Sequence, residues 1–266
     1  MQDFRETILN FYRDHGRSLP WRDTDNHYHI FVSEIMLQQT GVERVLGKYL
    51  RFLTEFPDFG ALARASQKRI LSEWQGLGYN RRCIHLREGA RKICSEFSGK
   101  LPESEKLLLS LPGVGRATSR ALLAFCFNRP VVFLETNIRQ VFIHFFFQES
   151  GRVSDTEMLP LVAKTLDRNN PREWYYALMD YGTMLKRSIG NLVRKSAGYR
   201  QPAPFEGSMR QVRGIILKTL LSSPGLTPDR ISSITGIDTG RIKEALDRLT
   251  QEGFLENNGL FYSLCG

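Results

Sequence analysis

The sequence of 266 residues is poor in cysteine, with only Cys83, Cys94, Cys126 and Cys265. Their spacings match no metal-ligand pattern, which argues against a thiolate metal site. We interpret them as reduced thiols of a cytoplasmic protein, which would be associated with the nucleoid if the source is prokaryotic.

The chain also lacks an apolar run long enough to span a membrane. Its N-terminal residues 1–16 have the pattern of an amphipathic helix and no apolar signal-peptide core. We therefore expect no membrane association.

Acidic residues are fewer than basic ones: the chain has 28 Asp and Glu but 37 Lys and Arg, which gives a net charge of +9. Residues 208–266 hold 7 basic and 6 acidic residues, so nearly all of the excess lies in residues 1–207. The charge favours a polyanionic partner that binds the first part of the chain, against the alternative of a basic but inert solvated surface.

Sheet-forming patterns are scarce in the first 200 residues. Apolar residues recur there at intervals of three and four, with Gly and Pro between the periodic segments. The predicted helical segments are 4–12, 30–36, 45–56, 70–74, 84–97, 107–111, 118–127, 160–167 and 174–185. The short β-branched run 131–134 is predicted to be an extended link. An all-α domain over residues 1–187 follows.

Residues 188–207 have weak periodicity and two prolines, and we predict a basic, Pro-containing linker there. Residues 208–266 then predict a helix over 209–221, a second opened by Thr227 and Pro228, and a third capped by Asp238 or Thr239. Two strands around an Asn-Asn-Gly turn follow. This is the order of a winged-helix-like α+β module, which could bind DNA or a protein.

The most informative stretch is LPGVG at 111–115, which joins two apolar helices. Gly113 and Gly115 permit a tight turn, and the N–H groups of Gly113, Val114 and Gly115 precede a helix start, where an anion is favoured. With Arg116 beside them, a nucleic-acid phosphate is the natural anion. The pattern is typical of a DNA-binding helix-hairpin-helix, although an ordinary helical corner would share it.

Four motifs in order, LPWR at 19–22, VSEIMLQQT at 32–40, GLGY at 76–79 and LPGVG at 111–115, resemble the helix-hairpin-helix DNA glycosylases. The MLQQT element resembles the adenine glycosylases of the MutY type, over roughly residues 5–187. The resemblance implies a two-lobed all-α domain that flips a nucleotide out of duplex DNA and cuts its glycosidic bond.

The resemblance gives Glu34 the role of the general acid that protonates the leaving base. The apolar residues around it in sequence would keep the carboxyl protonated, as that role requires. A glutamate on a solvated helix face is the alternative.

The second carboxylate of the family is an Asp, whereas this chain has Glu135, followed by Asn137 at the helix start. The extra methylene adds about 1.5 Å, and a misplacement of about 1 Å can cost a hundredfold in rate. Either the pocket is rebuilt around Glu135, or activity is weak, or the substrate differs. A helix-capping acid without a catalytic role is the alternative.

Further departures concern the lyase lysine and the iron–sulfur cluster of relatives. The lysine position after LPGVGR is Ala117, so we expect no AP lyase activity. The first cluster-cysteine position is Lys186, so we expect no iron–sulfur cluster and no cofactor, with room only for a monovalent cation at the hairpin. Lys186 and Arg187 are candidate phosphate contacts, although a solvated linker would look the same.

The residues that recognise the opposite base in the family are also partly changed in this sequence. Gln39 occupies the family's duplex-inserting position and Tyr79 is retained, but Asn80 stands where a second tyrosine would stack. The partner we expect is double-stranded DNA with a mispaired or damaged base, bound by a monomer.

The leading hypothesis is a monofunctional glycosylase that removes adenine opposite guanine or 8-oxoguanine. A uracil or thymine mismatch glycosylase on the same fold is the first alternative. A lesion-binding protein without catalysis is the second.

Overall fold

A computed structural model describes residues 1–201 and 203–266. The chain forms two compact units, Met1–Glu34 with Leu101–Gln201 and Ile35–Lys100 with Pro202–Gly266. The helices are α1 Gln2–His15, α2 His27–Leu37, α3 Val42–Glu55, α4 Phe59–Arg64, α5 Gln67–Trp74, α6 Arg81–Glu96, α7 Glu105–Leu109, α8 Arg116–Phe127, α9 Thr136–Phe146, α10 Asp155–Thr165, α11 Pro171–Ile189, α12 Met209–Ser222, α13 Pro228–Thr235 and α14 Thr239–Gln251. The strands are β1 Leu255–Asn257 and β2 Tyr262–Leu264.

The core of the first unit forms where α11 packs against α9 and α1. Phe4 of α1 lies at its centre, with ring centroids 5.5 Å from Phe142 and 5.9 Å from Trp174 in edge-on geometry. Such aromatic pairs stabilise a core beyond the area they bury. The packing fixes the first turns of α9 and the middle of α11, where the candidate site lies.

The predicted start of one helix is wrong. The apolar periodicity suggested a helix from residue 160, whereas α10 begins at Asp155. Ser154 caps it, and Glu157 bonds back to the Ser154 backbone, so a capping box starts the helix one turn before Pro160. The missing N–H of Pro160 removes one helical hydrogen bond, which the rest of the helix tolerates.

The segment after α11 is attached to the first unit by hydrogen bonds. The side chain of Gln140 donates to the Gly190 carbonyl at 2.7 Å and accepts from the Leu192 N–H at 2.9 Å. A 3₁₀ turn follows over Leu192–Lys195, and the backbone of Val153 bonds to Lys195 and Ala197. Part of the predicted linker therefore has a defined conformation here.

In the second unit, α4 packs against α6, and Phe52 of α3 lies 6.0 Å from Trp74 of α5. The six-residue α4 was not predicted, because it is too short to show a period; the Asp58 side chain caps it by accepting from Ala61 N–H.

The C-terminal part of this unit has the predicted winged-helix order. Thr227 caps α13 with Pro228 as its first residue, and Asp238 caps α14. The antiparallel strands β1 and β2 pair Leu255 with Leu264, and Gln67 of α5 donates to the Gly253 carbonyl at 2.8 Å. The predicted fold class, a helical glycosylase-type domain with a small α+β module, is confirmed.

Among residues 1–201 and 203–266, no helix is both long and apolar enough to cross a membrane.

Candidate active site

Glu135 stands immediately before α9 and caps it. Its carboxylate accepts from the N–H groups of Asn137 at 2.9 Å and Ile138 at 3.2 Å. Burial raises the pKa of Glu135 above its ordinary value, and these backbone hydrogen bonds partly offset that rise. The capping role is therefore real, and it also fixes the orientation of the carboxylate. Capping and catalysis are compatible, because the hydrogen bonds that orient the group use one of its two oxygens.

Glu34 lies on α2 and is half-buried. Burial, reinforced by the negative charge of Glu135, raises its pKa to about 8, against a weaker opposing effect of Arg22. The carboxyl is therefore largely protonated at neutral pH, as a general acid must be. The polar side chains that surround it come from other elements, which the sequence pattern of α2 alone could not indicate.

Two of those neighbours are Tyr176 and Cys126. Burial and then the charge of Glu34 raise the pKa values of both groups above their usual ranges. Tyr176 stacks on Phe125, with ring centroids 4.7 Å apart and an interplanar angle of 13°. Glu34 therefore lies beside a neutral phenol, a neutral thiol and aromatic rings, an environment that favours its neutral form.

The LPWR motif at 19–22 and the MDYG motif at 179–182, which lies on α11, meet in a buried ion pair. Arg22 donates to the two carboxylate oxygens of Asp180 at 2.9 and 2.8 Å, and the two side chains are 5% and 2% exposed. Arg17 binds the same carboxylate through its backbone N–H and its guanidinium. The Arg22 guanidinium also lies 4.5 Å from the centre of the Tyr176 ring. A bidentate pair of this kind holds both partners in one orientation.

Gly182 brings α11 against the first turn of α9. A Cβ atom placed on Gly182 would lie 2.2 Å from the carbonyl oxygen of Asn137, so only glycine permits this approach. Since Glu135 caps the same turn, the glycine of the MDYG motif fixes the position of the second carboxylate.

The hairpin has the predicted form. Gly113 has φ of 77°, a conformation that L side chains rarely adopt. Gly115 is the N-cap of α8 with extended backbone, and no protein atom would meet a Cβ placed there. Gly115 and Arg116 are exposed while Val114 is buried. An open groove of about 650 Å³ adjoins the hairpin, lined by Glu105, Lys106, Leu109, Ser110, Arg116 and Arg120.

Gln39 and Tyr79, both in the second unit, lie on two loops with left-handed backbone. Their φ angles are 55° and 48°, which is strained for residues other than glycine, and both side chains are exposed. Asn80 follows Tyr79, is half-buried and immediately precedes α6. Backbone strain of this kind clusters at sites of function.

Arg82 joins these loops, a role that the sequence analysis missed. Its guanidinium donates to the carbonyls of Ile35, Met36 and Gln38 on one side. On the other side it donates to the Thr40 hydroxyl and to the carbonyls of Leu77 and Gly78. The sequence shows only that Arg82 stands three residues after Tyr79. Nothing in the sequence distinguishes it from Arg81, the exposed arginine next to it.

Lys186 and Arg187 lie exposed in the last turn of α11. The segment that follows does not fit an iron–sulfur cluster, because residues 190–201 contain no cysteine. Its polar groups bond instead to Gln140 of α9 and to Asn191. Within the described ranges, no group of three or more His, Cys, Asp or Glu side chains could hold a metal ion.

A tight hairpin that leads into the start of α8, together with a half-buried carboxyl pair on α2 and at the start of α9, defines the class of protein: a helix-hairpin-helix DNA glycosylase. A family model described as "HhH-GPD superfamily base excision DNA repair protein" matches residues 32–160. The chain belongs to this superfamily, and it is a DNA glycosylase of base excision repair.

Two relatives and one solved structure show the extent of the similarity. The adenine DNA glycosylase of Mycolicibacterium smegmatis is 32% identical over 94% of this chain and 91% of that relative. The adenine DNA glycosylase of Buchnera aphidicola subsp. Baizongia pistaciae is 35% identical over 68% of this chain, and the match spans about half, 52%, of that relative. A thermostable thymine-DNA glycosylase superposes with a TM-score of 0.64 at 26% identity, over 69% of this chain and 86% of that structure.

Proposed function

We propose that this protein is a monofunctional adenine DNA glycosylase that acts on adenine opposite guanine or 8-oxoguanine. The observation that carries the proposal is the carboxyl pair: Glu34, with a pKa raised to about 8, beside Glu135, oriented by the first turn of α9. The names of the relatives support adenine as the base that leaves.

In this mechanism Glu34 gives its proton to a ring nitrogen of the flipped adenine. The glycosidic bond then breaks, its electron pair leaves with the base, and positive charge develops on the sugar. The Glu135 carboxylate stabilises that charge. Water adds to the sugar carbon and loses a proton, so the products are free adenine and an abasic site, and Glu34 is reprotonated from solvent.

DNA binding in this proposal uses backbone N–H groups, basic side chains and two exposed loops. The hairpin residues Gly113 and Gly115 and the guanidinium of Arg116 bind a phosphate. The N–H of Val114, which was also a candidate, donates instead to the Leu111 carbonyl at 3.1 Å and closes the turn. Gln39, Tyr79 and Asn80 hold the distorted duplex, while Lys186 and Arg187 supply further phosphate contacts. Asn137 contributes the N–H that orients Glu135.

The proposal includes the absence of strand cleavage and of a cluster. Ala117 offers no amine for a Schiff base. We therefore expect borohydride to trap no covalent adduct and alkali to be required for strand scission. Iron analysis of anaerobically purified protein should detect no stoichiometric iron; a visible absorption band from a cluster would contradict this part.

The decisive experiment measures single-turnover excision on a panel of duplexes with A opposite 8-oxoG, G or C, and with U or T opposite G. We expect adenine to be released fastest. Glu135→Gln should lose at least about a hundredfold in rate, because the uncharged amide cannot stabilise a cation, whereas Glu135→Asp should keep measurable activity. Tight binding without product in the wild type would instead indicate a lesion-binding protein.

A thymine mismatch glycosylase is the second candidate, because the thymine-DNA glycosylase structure shares 26% identity with this chain. This candidate would be supported if the protein released thymine from T opposite G and did not release adenine from any of the duplexes.

A further inference from the structure

The C-terminal module contacts Tyr79 directly. Arg210, near the start of α12, donates from Nη1 to the Tyr79 hydroxyl at 2.9 Å, and its guanidinium carbon lies 5.9 Å from the centre of the Tyr79 ring. Nη2 donates to the Ala203 carbonyl at 2.8 Å. Both residues belong to the second unit. The winged-helix-like module thus places the positive charge of Arg210 at the loop of Tyr79, which the proposed function assigns to holding the duplex.

The charge of Arg210 is not neutralised by the protein that surrounds it. In the described part of the chain no carboxylate lies within ion-pair distance of Arg210, while Arg213 of the same helix pairs with Glu252 at 2.6 Å. A guanidinium has five N–H donors, and the two contacts above use two of them. Arg210 is exposed, so its side chain is accessible to a ligand.

Asn80, next to Tyr79, carries an amide that cannot stack on a base as a ring does. Arginine recognises purines well, since its planar fork can donate to two acceptors on the edge of a guanine. We propose that Arg210 is a specificity-determining residue that, anchored on Tyr79, donates to acceptor atoms of the purine opposite the excised base. This inference rests on the proposed function, because it assigns the opposite-base specificity of that same site.

The test compares wild type with Arg210→Ala, Arg210→Lys and Tyr79→Phe. Lys218→Gln serves as the matched control, since Lys218 is exposed on the same helix and its change removes the same charge. Binding is measured on duplexes that carry a 2′-fluoro adenosine, in which the fluorine prevents the cationic sugar from forming, opposite 8-oxoG, G or C. Thermal unfolding checks that each variant is folded.

We expect Arg210→Ala to reduce the preference for 8-oxoG or G over C by about tenfold, the size of one lost base contact. Arg210→Lys should keep most of the affinity but lose the preference, because an ammonium group lacks the planar fork. Tyr79→Phe should lower the preference in part. A variant that carries both Arg210→Ala and Tyr79→Phe should be no worse than Arg210→Ala alone, since the two residues act as a unit. Lys218→Gln should match the wild type.

Two results would overturn the proposal. An equal loss of affinity for all three opposite bases would make Arg210 a phosphate contact only. Unchanged affinity and preference would make the Arg210–Tyr79 contact purely structural. Because the fluorinated duplexes are not cleaved, failure of the wild type to release adenine would contradict the proposed function without affecting this binding test.

Discussion

The guanidinium of Arg22 binds both carboxylate oxygens of Asp180, and this buried pair joins two sequence motifs that lie far apart in the chain. Burial alone would raise the pKa of Asp180, but the hydrogen bonds and charge of Arg22 and the hydrogen bonds of Arg17 lower it below its ordinary 3.8. The pair also places the charge of Arg22 beside Glu34, whose pKa it lowers slightly.

Asp180→Asn should therefore destabilise the fold, because it leaves two arginines without their counter-charge. We expect a loss of about 3–5 kcal/mol in the free energy of unfolding near pH 7, measured by urea denaturation. A lowered folded-state pKa contributes stability above the unfolded value, and this contribution is lost as the pH falls through the lowered pKa. The difference in the free energy of unfolding between wild type and Asp180→Asn should therefore shrink below pH 3.8.

Asp25→Asn is the control for that measurement. Asp25 also pairs with an arginine, Arg172 at 2.6 Å, but its side chain is 91% exposed. Its removal should cost less than about 1 kcal/mol. Similar losses in the two variants would contradict the buried role of Asp180.

The raised pKa of Glu34 predicts the pH dependence of catalysis. Single-turnover rates should fall above pH 8, where Glu34 loses the proton that it must donate. They should also fall at acid pH, with an onset above 4.5, because the raised pKa of Glu135 lets this carboxylate become protonated there. A rate that rises steadily through pH 9 would exclude Glu34 as the acid.

Glu34→Gln should abolish excision and yet stabilise the protein. The folded state binds a proton at Glu34 between pH 4.5 and about 8, so the stability of the wild type falls as the pH rises through that window. The amide of Gln does not ionise, so the variant does not lose stability in this way as the pH rises. Thermal unfolding should show an advantage of the variant that grows from pH 5 to pH 8.5; a constant difference would be the contrary result.

Gly182→Ala should damage both stability and activity. The added Cβ would meet the Asn137 carbonyl at 2.2 Å, so α9 and α11 must separate where Glu135 is held. We expect a destabilisation of about 1–3 kcal/mol by overpacking and roughly a hundredfold slower excision from a displacement on the order of 1 Å.

Gly47→Ala is the matched control on an exposed position of α3, where a Cβ meets nothing within 4 Å. It should be neutral or stabilise by up to about 1 kcal/mol. Equal effects of the two alanines in urea denaturation would show that the close approach of the helices is unimportant.

Arg82→Lys should weaken DNA binding although it keeps the charge. One ammonium group cannot reach the carbonyls of residues 35–38 and those of residues 77–78 together. Each buried carbonyl left without a donor costs about 1–3 kcal/mol. We expect lower stability and weaker binding of mispaired duplexes, whereas Arg81→Lys, at the exposed neighbouring position, should change neither.

The apolar period predicted the helices α1, α3, α6, α8 and α12, whereas no predicted segment covered α9 at 136–146. The missed start of α10 and the missed α4 depended on capping side chains, Ser154 with Glu157 and Asp58, which act over a single turn and leave no period. The two carboxyl residues could be proposed from motif order, and the protonated form of Glu34 from its apolar neighbours in sequence. The contribution of the Glu135 charge to the raised pKa of Glu34 could not, because only the fold brings these two residues together.

The sequence by itself determined the superfamily, the hairpin, the missing lyase lysine and the missing cluster cysteines, because each depends on which residue occupies a position. Only the tertiary structure decided that Glu135 caps α9, that Gly182 fixes that turn, that Arg82 joins two loops and that Arg210 meets Tyr79. Except for the cap, which is local, these relations link residues far apart in the chain, and their chemistry exists only once folding has brought the partners within hydrogen-bond or van der Waals distance.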